Sequence, residues 1–141
     1  YYENGITALE AVFHKGKLEG VEKTYYPNGI LRREALFSQG VMDQWLKLYD
    51  PQGNLTNEIS VWRGTKNGLS KTFREDASLQ QQCDFLNDII QSCSYFDEQG
   101  LLKAKSHVDP NDPKRTIYLT YGASGQVIQS QQTRQASPSE K

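Results

Sequence analysis

Cys83 and Cys93 are the chain's two cysteines, ten residues apart on either side of Leu86-Asn87-Asp88-Ile89. With a turn centred near Asp88 they lie on adjacent antiparallel strands and face each other, within the separation a disulfide tolerates. Cys83 also sits at the same phase of a 24-residue period as Ala11, Ala35 and Ile59, a buried-face position. A pair of small core thiols is therefore the alternative. Metal binding needs more ligands than two cysteines and a distant histidine, so no metal is expected.

The remaining chemistry-bearing residues form no catalytic set. His14 and His107, the only histidines, lie beside no Ser, Cys or Asp arrangement suited to a nucleophilic mechanism, and read as surface strand residues. Glu10, Glu34 and Glu58 resemble an acid-base cluster until their spacing is counted. Identical acids every 24 residues make a ladder along a sheet, partnered by Lys23, Lys47 and Lys71 or by backbone turns. Gly16-Lys17-Leu18-Glu19-Gly20 lacks both the Lys-Ser/Thr of a phosphate loop and a following helix, so it reads as a hairpin turn. No catalytic residue and no cofactor are expected, and the chain is read as a non-enzyme.

The elements that position these residues come from a repeat. Tyr1, Tyr25, Tyr49 and Phe73 share one phase, as do Gly5, Gly29 and Gly53, then Phe13, Phe37, Val61 and Phe85, then Gly16, Gly40 and Gly64. Within a unit, Leu31, Ala35 and Phe37 alternate with Arg32 and Glu34, the period-two signature of a strand with one buried face. Two turn signals per unit, such as Pro27-Asn28-Gly29 and the glycine pair beginning at Gly16, give two strands per unit. The expected fold is all-β: a single elongated, twisted antiparallel meander of stacked β-hairpins, about ten strands long.

Beyond Phe73 the period loosens, and Phe96-Asp97-Glu98-Gln99-Gly100 follows Tyr49-Asp50-Pro51-Gln52-Gly53 after 47 residues, one short of two periods. Two prolines in Asp109-Pro110-Asn111-Asp112-Pro113 cannot serve a central strand. Residues 1–128 read as one repeat domain of five to six units, and residues 129–141, rich in Gln, Ser and Thr, as a flexible polar tail.

Bulk properties narrow the function. A hydrophobic share of 36% and a mean hydropathy of -0.72 suit a thin sheet with little deep interior. A net charge of -1 supplies no global field for nucleic acid or anionic lipid, and neither is an expected partner. No apolar run approaches the roughly 20 residues of a membrane helix. Tyr1 already lies inside a repeat, so the natural N-terminus is expected upstream, with any signal segment removed.

Tyr25-Tyr26-Pro27-Asn28-Gly29, followed by Leu31, Glu34, Phe37 and Gly40, resembles the MORN repeat in its bacterial variant form. The likeness extends over about residues 1–128, strongest in the first three units. It implies stacked hairpins in one long sheet and a role of antitoxin or immunity type, often exported or lipid-anchored in the cell envelope. The resulting expectation is a protein that binds a toxin or secreted effector and occludes its active site, located in the periplasm or envelope, with monomers favoured. Membrane contact is expected only through an N-terminal lipid anchor outside this sequence. Reduced cysteines would instead allow the cytoplasm. The alternative function is an envelope scaffold or lipid-surface protein, against which the interspersed charges speak.

Residues obeying the repeat are explained by the fold, so specificity is expected where it breaks. Gln44-Trp45 replaces a hallmark glycine and an aliphatic residue, and Trp62 falls on the more polar face, opposite in alternation to Val61. Trp45, Trp62, Arg32, Arg63, Asp109, Lys114 and Arg115 are the candidate partner-binding residues, Trp and Arg being frequent binding anchors.

Overall fold

Alternating side chains and paired turn residues build the sheet seen in the computed structural model, which describes residues 1–135. The strands are β1 (Leu9–Glu10), β2 (Phe13–His14), β3 (Lys17–Leu18), β4 (Gly20–Tyr25), β5 (Leu31–Ser38), β6 (Val41–Tyr49) and β7 (Leu55–Trp62). They continue as β8 (Thr65–Phe73), β9 (Leu79–Leu86), β10 (Ile89–Phe96), β11 (Leu102–Asp109), β12 (Asp112–Tyr121) and β13 (Val127–Arg134). Eleven of them form one antiparallel sheet in the order β1-β4-β5-β6-β7-β8-β9-β10-β11-β12-β13, while β2 and β3 pair as a separate small hairpin. The meander thus has eleven strands, in line with the roughly ten expected.

Two kinds of turn alternate at the strand ends. At one end Gly5, Gly29, Gly53, Ala77, Gly100 and Gly125 each donate a backbone N–H to the carbonyl three residues back, as Gly29 does to Tyr26 at 2.8 Å. These turns also stack: Asn4 and Asn28 donate side-chain amides to the carbonyls of Pro27 and Pro51 in the following turns, at 2.9 and 3.0 Å. At the other end two-residue turns place both residues at positive φ, as at Gln39-Gly40 (53° and 83°) and Asn87-Asp88 (49° and 67°). Such turns match the right-handed twist of the flanking strands.

Each complete unit carries a bulge. Asp43-Gln44-Trp45 on β6 stands opposite Leu36 alone, and Asn67-Gly68-Leu69 on β8 opposite Ser60 alone. On β10 only Gln91 is interposed between Ile90 and Ser92, whose partners Phe85 and Asp84 are adjacent. The residue missing from the 47-residue interval is therefore a bulge residue, and the hairpin closes without it.

The interior is a single row of side chains on one face. Cross-strand register runs Glu22, Ala35, Leu46, Ile59, Ser70, Cys83, Cys93, Ser106 and Tyr118, and cross-strand partners share a face. Ala35, Cys83, Cys93 and Ser106 in this row are buried, as is Val61 on the same face. Cys83 and Cys93 are joined by a disulfide, as one of the two sequence readings had it.

Two sequence expectations are corrected. Residues 129–134 are not tail: β13 pairs with β12 from Val127 to Arg134. All eight of its residues are exposed, and ladder hydrogen bonds hold a polar edge strand that has no apolar face to bury. Residues 136–141 of the expected tail lie outside the described residues. Pro113 does enter a strand between two others, but where the register shifts, so Pro113, Lys114 and Arg115 oppose no residue of β11. A bulge asks no N–H of proline.

Candidate protein-binding face

The face opposite the buried row carries the repeated charges. Register pairs Glu10 with Lys23, Lys23 with Glu34, Glu34 with Lys47, Lys47 with Glu58 and Glu58 with Lys71, an alternating ladder across six strands. Pairing opposite charges directly across strands is favourable. Among the described residues, however, no ladder lysine comes within 4.0 Å of a ladder glutamate. Two of the three acids turn to tyrosines instead. Tyr25 donates its hydroxyl to Glu10 at 2.9 Å, and Tyr49 donates to Glu34 at 2.8 Å. Burial, then the bond to Glu34 and the charges of Glu34 and Glu58, push the Tyr49 phenol up to about 12. Burial and Glu10 raise Tyr25 in the same direction.

Beside the ladder lies an open groove of about 370 Å³ lined by Trp45, Lys47, Glu58, Ser60, Leu69 and Lys71. Trp45 stands opposite Ser60, and Trp62 two residues further along β7, so alternation puts both tryptophans on the ladder face. Trp45 is half-buried with the Lys47 ammonium 5.5 Å from its ring, whereas Trp62 is 57% exposed. Val61, its neighbour in sequence, is 7% exposed, as their opposite alternation requires.

The seven candidate residues do not form one patch. Trp45, Trp62 and Arg63 are neighbours: Arg63 opens the turn after β7 at φ 47°, and its guanidinium lies 5.4 Å from the Trp62 ring. Arg32 lies at the start of β5, across the ladder from the tryptophans, 5.7 Å from the Tyr26 ring. Asp109, Lys114 and Arg115 lie at the β11–β12 turn, four to five strands from β7, or roughly 19–24 Å at ordinary strand spacing. There Arg115 pairs with buried Asp109 at 3.5 Å and reaches Asp112 at 3.9 Å, while Lys114 is exposed.

Sequence reasoning passed over exposed apolar residues on the ladder face, of which Leu69 lines the groove. Val21, Val41, Leu69, Leu86 and Ile89 are between 37% and 64% exposed, and register puts each on the ladder face near the two-residue turns. Their phases were visible, since Val21, Trp45 and Leu69 are 24 residues apart. That signal marks a repeated position without saying which face it takes once bulges shift the alternation.

His14 is exposed on β2 and His107 half-buried on β11. Among the described residues no three His, Cys, Asp or Glu side chains group so as to hold a metal ion.

No curated protein matches the chain. A crystal structure of a protein of unknown function from Bacteroides fragilis NCTC 9343 is similar at 14% identity over 94% of each chain, with a TM-score of 0.23. A family model described as the MORN repeat variant matches residues 18–39, the stretch from the end of β3 through β5 into its turn, and supports reading the array as MORN repeats.

Proposed function

We propose that this chain is a non-catalytic binding protein of immunity or antitoxin type, which holds a toxin or secreted effector on its ladder face and blocks that partner's active site. The observation that carries the reading is the pair Trp45 and Trp62: two tryptophans, one in a groove and one 57% exposed, on a face over which the described residues place no second layer. Tryptophan and arginine anchors surrounded by polar contacts are the usual composition of a binding centre. MORN repeats are generally associated with binding rather than catalysis, in keeping with the family match. Arg63 flanks Trp62 as a rim contact, and Arg32 extends the surface across the ladder. The Cys83–Cys93 disulfide supports an oxidising location, which for a bacterial chain is the periplasm or envelope.

The test is co-purification with the intact chain and with a Trp45→Ala/Trp62→Ala variant of unchanged circular dichroism. A partner retained by the former and lost by the latter, whose activity the intact chain inhibits at one-to-one stoichiometry, is the expected result. Equal retention by both chains, or binding without inhibition, overturns the reading. Strong flotation with anionic vesicles and no protein partner would favour a lipid-surface scaffold instead.

A further inference from the structure

The charge ladder has a symmetry that the repeat alone does not require. It holds six members in alternating sign, Glu10, Lys23, Glu34, Lys47, Glu58 and Lys71, one on each of β1, β4, β5, β6, β7 and β8. A row that begins with an acid and ends with a base becomes its own complement when reversed. Superposed head to tail on a second copy, Glu10 meets Lys71, Lys23 meets Glu58, and Glu34 meets Lys47, with no like-charged rung. Beyond β8 the row continues as Gln82, Ser94 and Lys105, so the alternation is confined to these six strands.

From this we infer that the free protein forms a two-fold dimer in which the ladder faces of two copies meet, about an axis parallel to the strands and between β5 and β6. Such an interface is isologous, the same patch on both copies. The axis keeps every residue at its own height along the strands, so the apolar border of one copy falls on that of the other. Trp45 on β6 then meets Leu36 on β5 of the second copy, and Ser60 on β7 meets Val21 on β4, with Trp62 two residues further toward the turn. Leu36 and Val21 are cross-strand partners, and both share the ladder face.

The charges are not neutralised by one another within the chain, since no ladder lysine is ion-paired to a ladder glutamate among the described residues, and the groups that Glu10, Glu34 and Lys47 do meet, two tyrosine hydroxyls and the Trp45 ring, are uncharged. Six strands of two to nine residues, at about 4.8 Å spacing and about 3.3 Å rise, cover roughly 600–750 Å² per copy. Doubled, that is about 1,200–1,500 Å², within the range of specific interfaces. Packed sheets cross at about 30°, which displaces the outer rungs, so Glu34 and Lys47 beside the axis dominate. The inference stands apart from the proposed partner but bears on it: a dimer so built covers Trp45 and Trp62, and a partner must displace the second copy.

Light scattering and sedimentation equilibrium on the intact chain test the inference. The expected species has twice the 16.0 kDa chain mass and moves toward monomer as salt is raised. By symmetry each single reversal, Glu34→Lys or Lys47→Glu, creates two like-charged contacts and weakens self-association at least tenfold. Mixing the two variants restores the dimer as a heterodimer, because the two altered residues face each other, the two unaltered residues face each other, and both pairs are opposite in charge. Circular dichroism of each variant, with Glu34→Gln and Lys47→Gln as gentler replacements, separates loss of the dimer from loss of the fold. A monomeric intact chain at millimolar concentration, unchanged dimerisation of the reversed variants, or a mixture that stays monomeric overturns the inference. Loss of partner binding with the dimer intact would bear on the proposed function and leave the dimer standing.

Discussion

Gln44 occupies the bulge position that Gly68 occupies one unit later, and it takes the same left-handed backbone, φ 74° against 81°. Glutamine pays for that conformation and glycine does not, at about 1–2 kcal/mol for an L-residue. The Gly68 site shows that no steric demand is involved, since an added Cβ would meet Ser60 Cβ at an ordinary 3.6 Å. Gln44→Gly is therefore expected to stabilise the chain by about 0.5–1 kcal/mol, after the unfolded-state entropy of glycine is offset. Ala77, at φ 66° where other turns carry glycine, should respond likewise. Gly68→Ala should destabilise by a similar amount. Urea midpoints compare the variants, and a lower midpoint for Gln44→Gly would show that its side chain contributes more than its backbone costs.

The fold was legible because the signals that specify it are local. Proline, asparagine and glycine in Pro27-Asn28-Gly29 specify a turn, and alternation around Ala35 specifies a strand and its buried face. Where the signal is not local, legibility fails. Residues 129–134 have no apolar alternation, and only the neighbouring β12 makes them a strand. Pro113 reads as a breaker until the opposing strand shows that no N–H is wanted there.

Tyr49 should give the chain an alkaline limit. Its phenol is raised to about 12 from 10.0, first by burial and then by the hydrogen bond to Glu34. A folded-state value above the unfolded one means that the stabilisation is fully present below pH 10 and is lost as pH rises toward 12. Tyr49→Phe is expected to lose about 1 kcal/mol at neutral pH, by leaving Glu34 without its donor, and to flatten the decline in alkali. Denaturant melts at stepped pH measure both effects. A decline of the same size in the phenylalanine variant would assign the alkaline limit to other groups.

The candidate binding face was legible only in part. Trp62 was marked by its alternation against Val61, and the structure exposes it on the side opposite that buried valine. Asp109 and Arg115 were singled out because they break the repeat, yet a broken repeat must also be held together, and they pair with each other at 3.5 Å. Irregularity in sequence does not separate a contact made to a partner from one made within the fold. Partnership with the ladder lysines or with backbone turns was the sequence reading of Glu34. Register bears out the opposition with Lys47, but the hydrogen bond goes to Tyr49, fifteen residues away, which depends on rotamers that periodicity does not encode.

Ser70 lies in the buried row between Ile59 and Cys83, and its hydroxyl has no hydrogen-bond partner among the described residues. A buried unsatisfied hydroxyl costs about 1–3 kcal/mol. Ser70→Ala removes the hydroxyl and keeps the small volume that the row requires. It should be neutral to stabilising, by up to about 1 kcal/mol, whereas Ala35→Ser should destabilise at the fully buried equivalent position. A clear loss of stability in Ser70→Ala would mean that the hydroxyl is satisfied by bound water.

The Cys83–Cys93 disulfide joins directly opposed residues of β9 and β10 and closes a loop of ten residues. A loop of that size gives about 2–3 kcal/mol by constraint of the unfolded chain. The gain matters most here because the bonded pair supplies two of the few buried residues of a single-layer sheet. Both sulfurs are nearly inaccessible, so a reductant should act slowly on the native chain and quickly once the β9–β10 region opens. Cys83→Ala/Cys93→Ala should lower stability by about that amount, and reduction of the intact chain should reproduce the loss without altering the variant. Alkylation with and without reductant, read by mass, reports the bond, while melts of the variant report its contribution. Equal stability of oxidised and reduced chains would show that the buried row packs as well with two thiols.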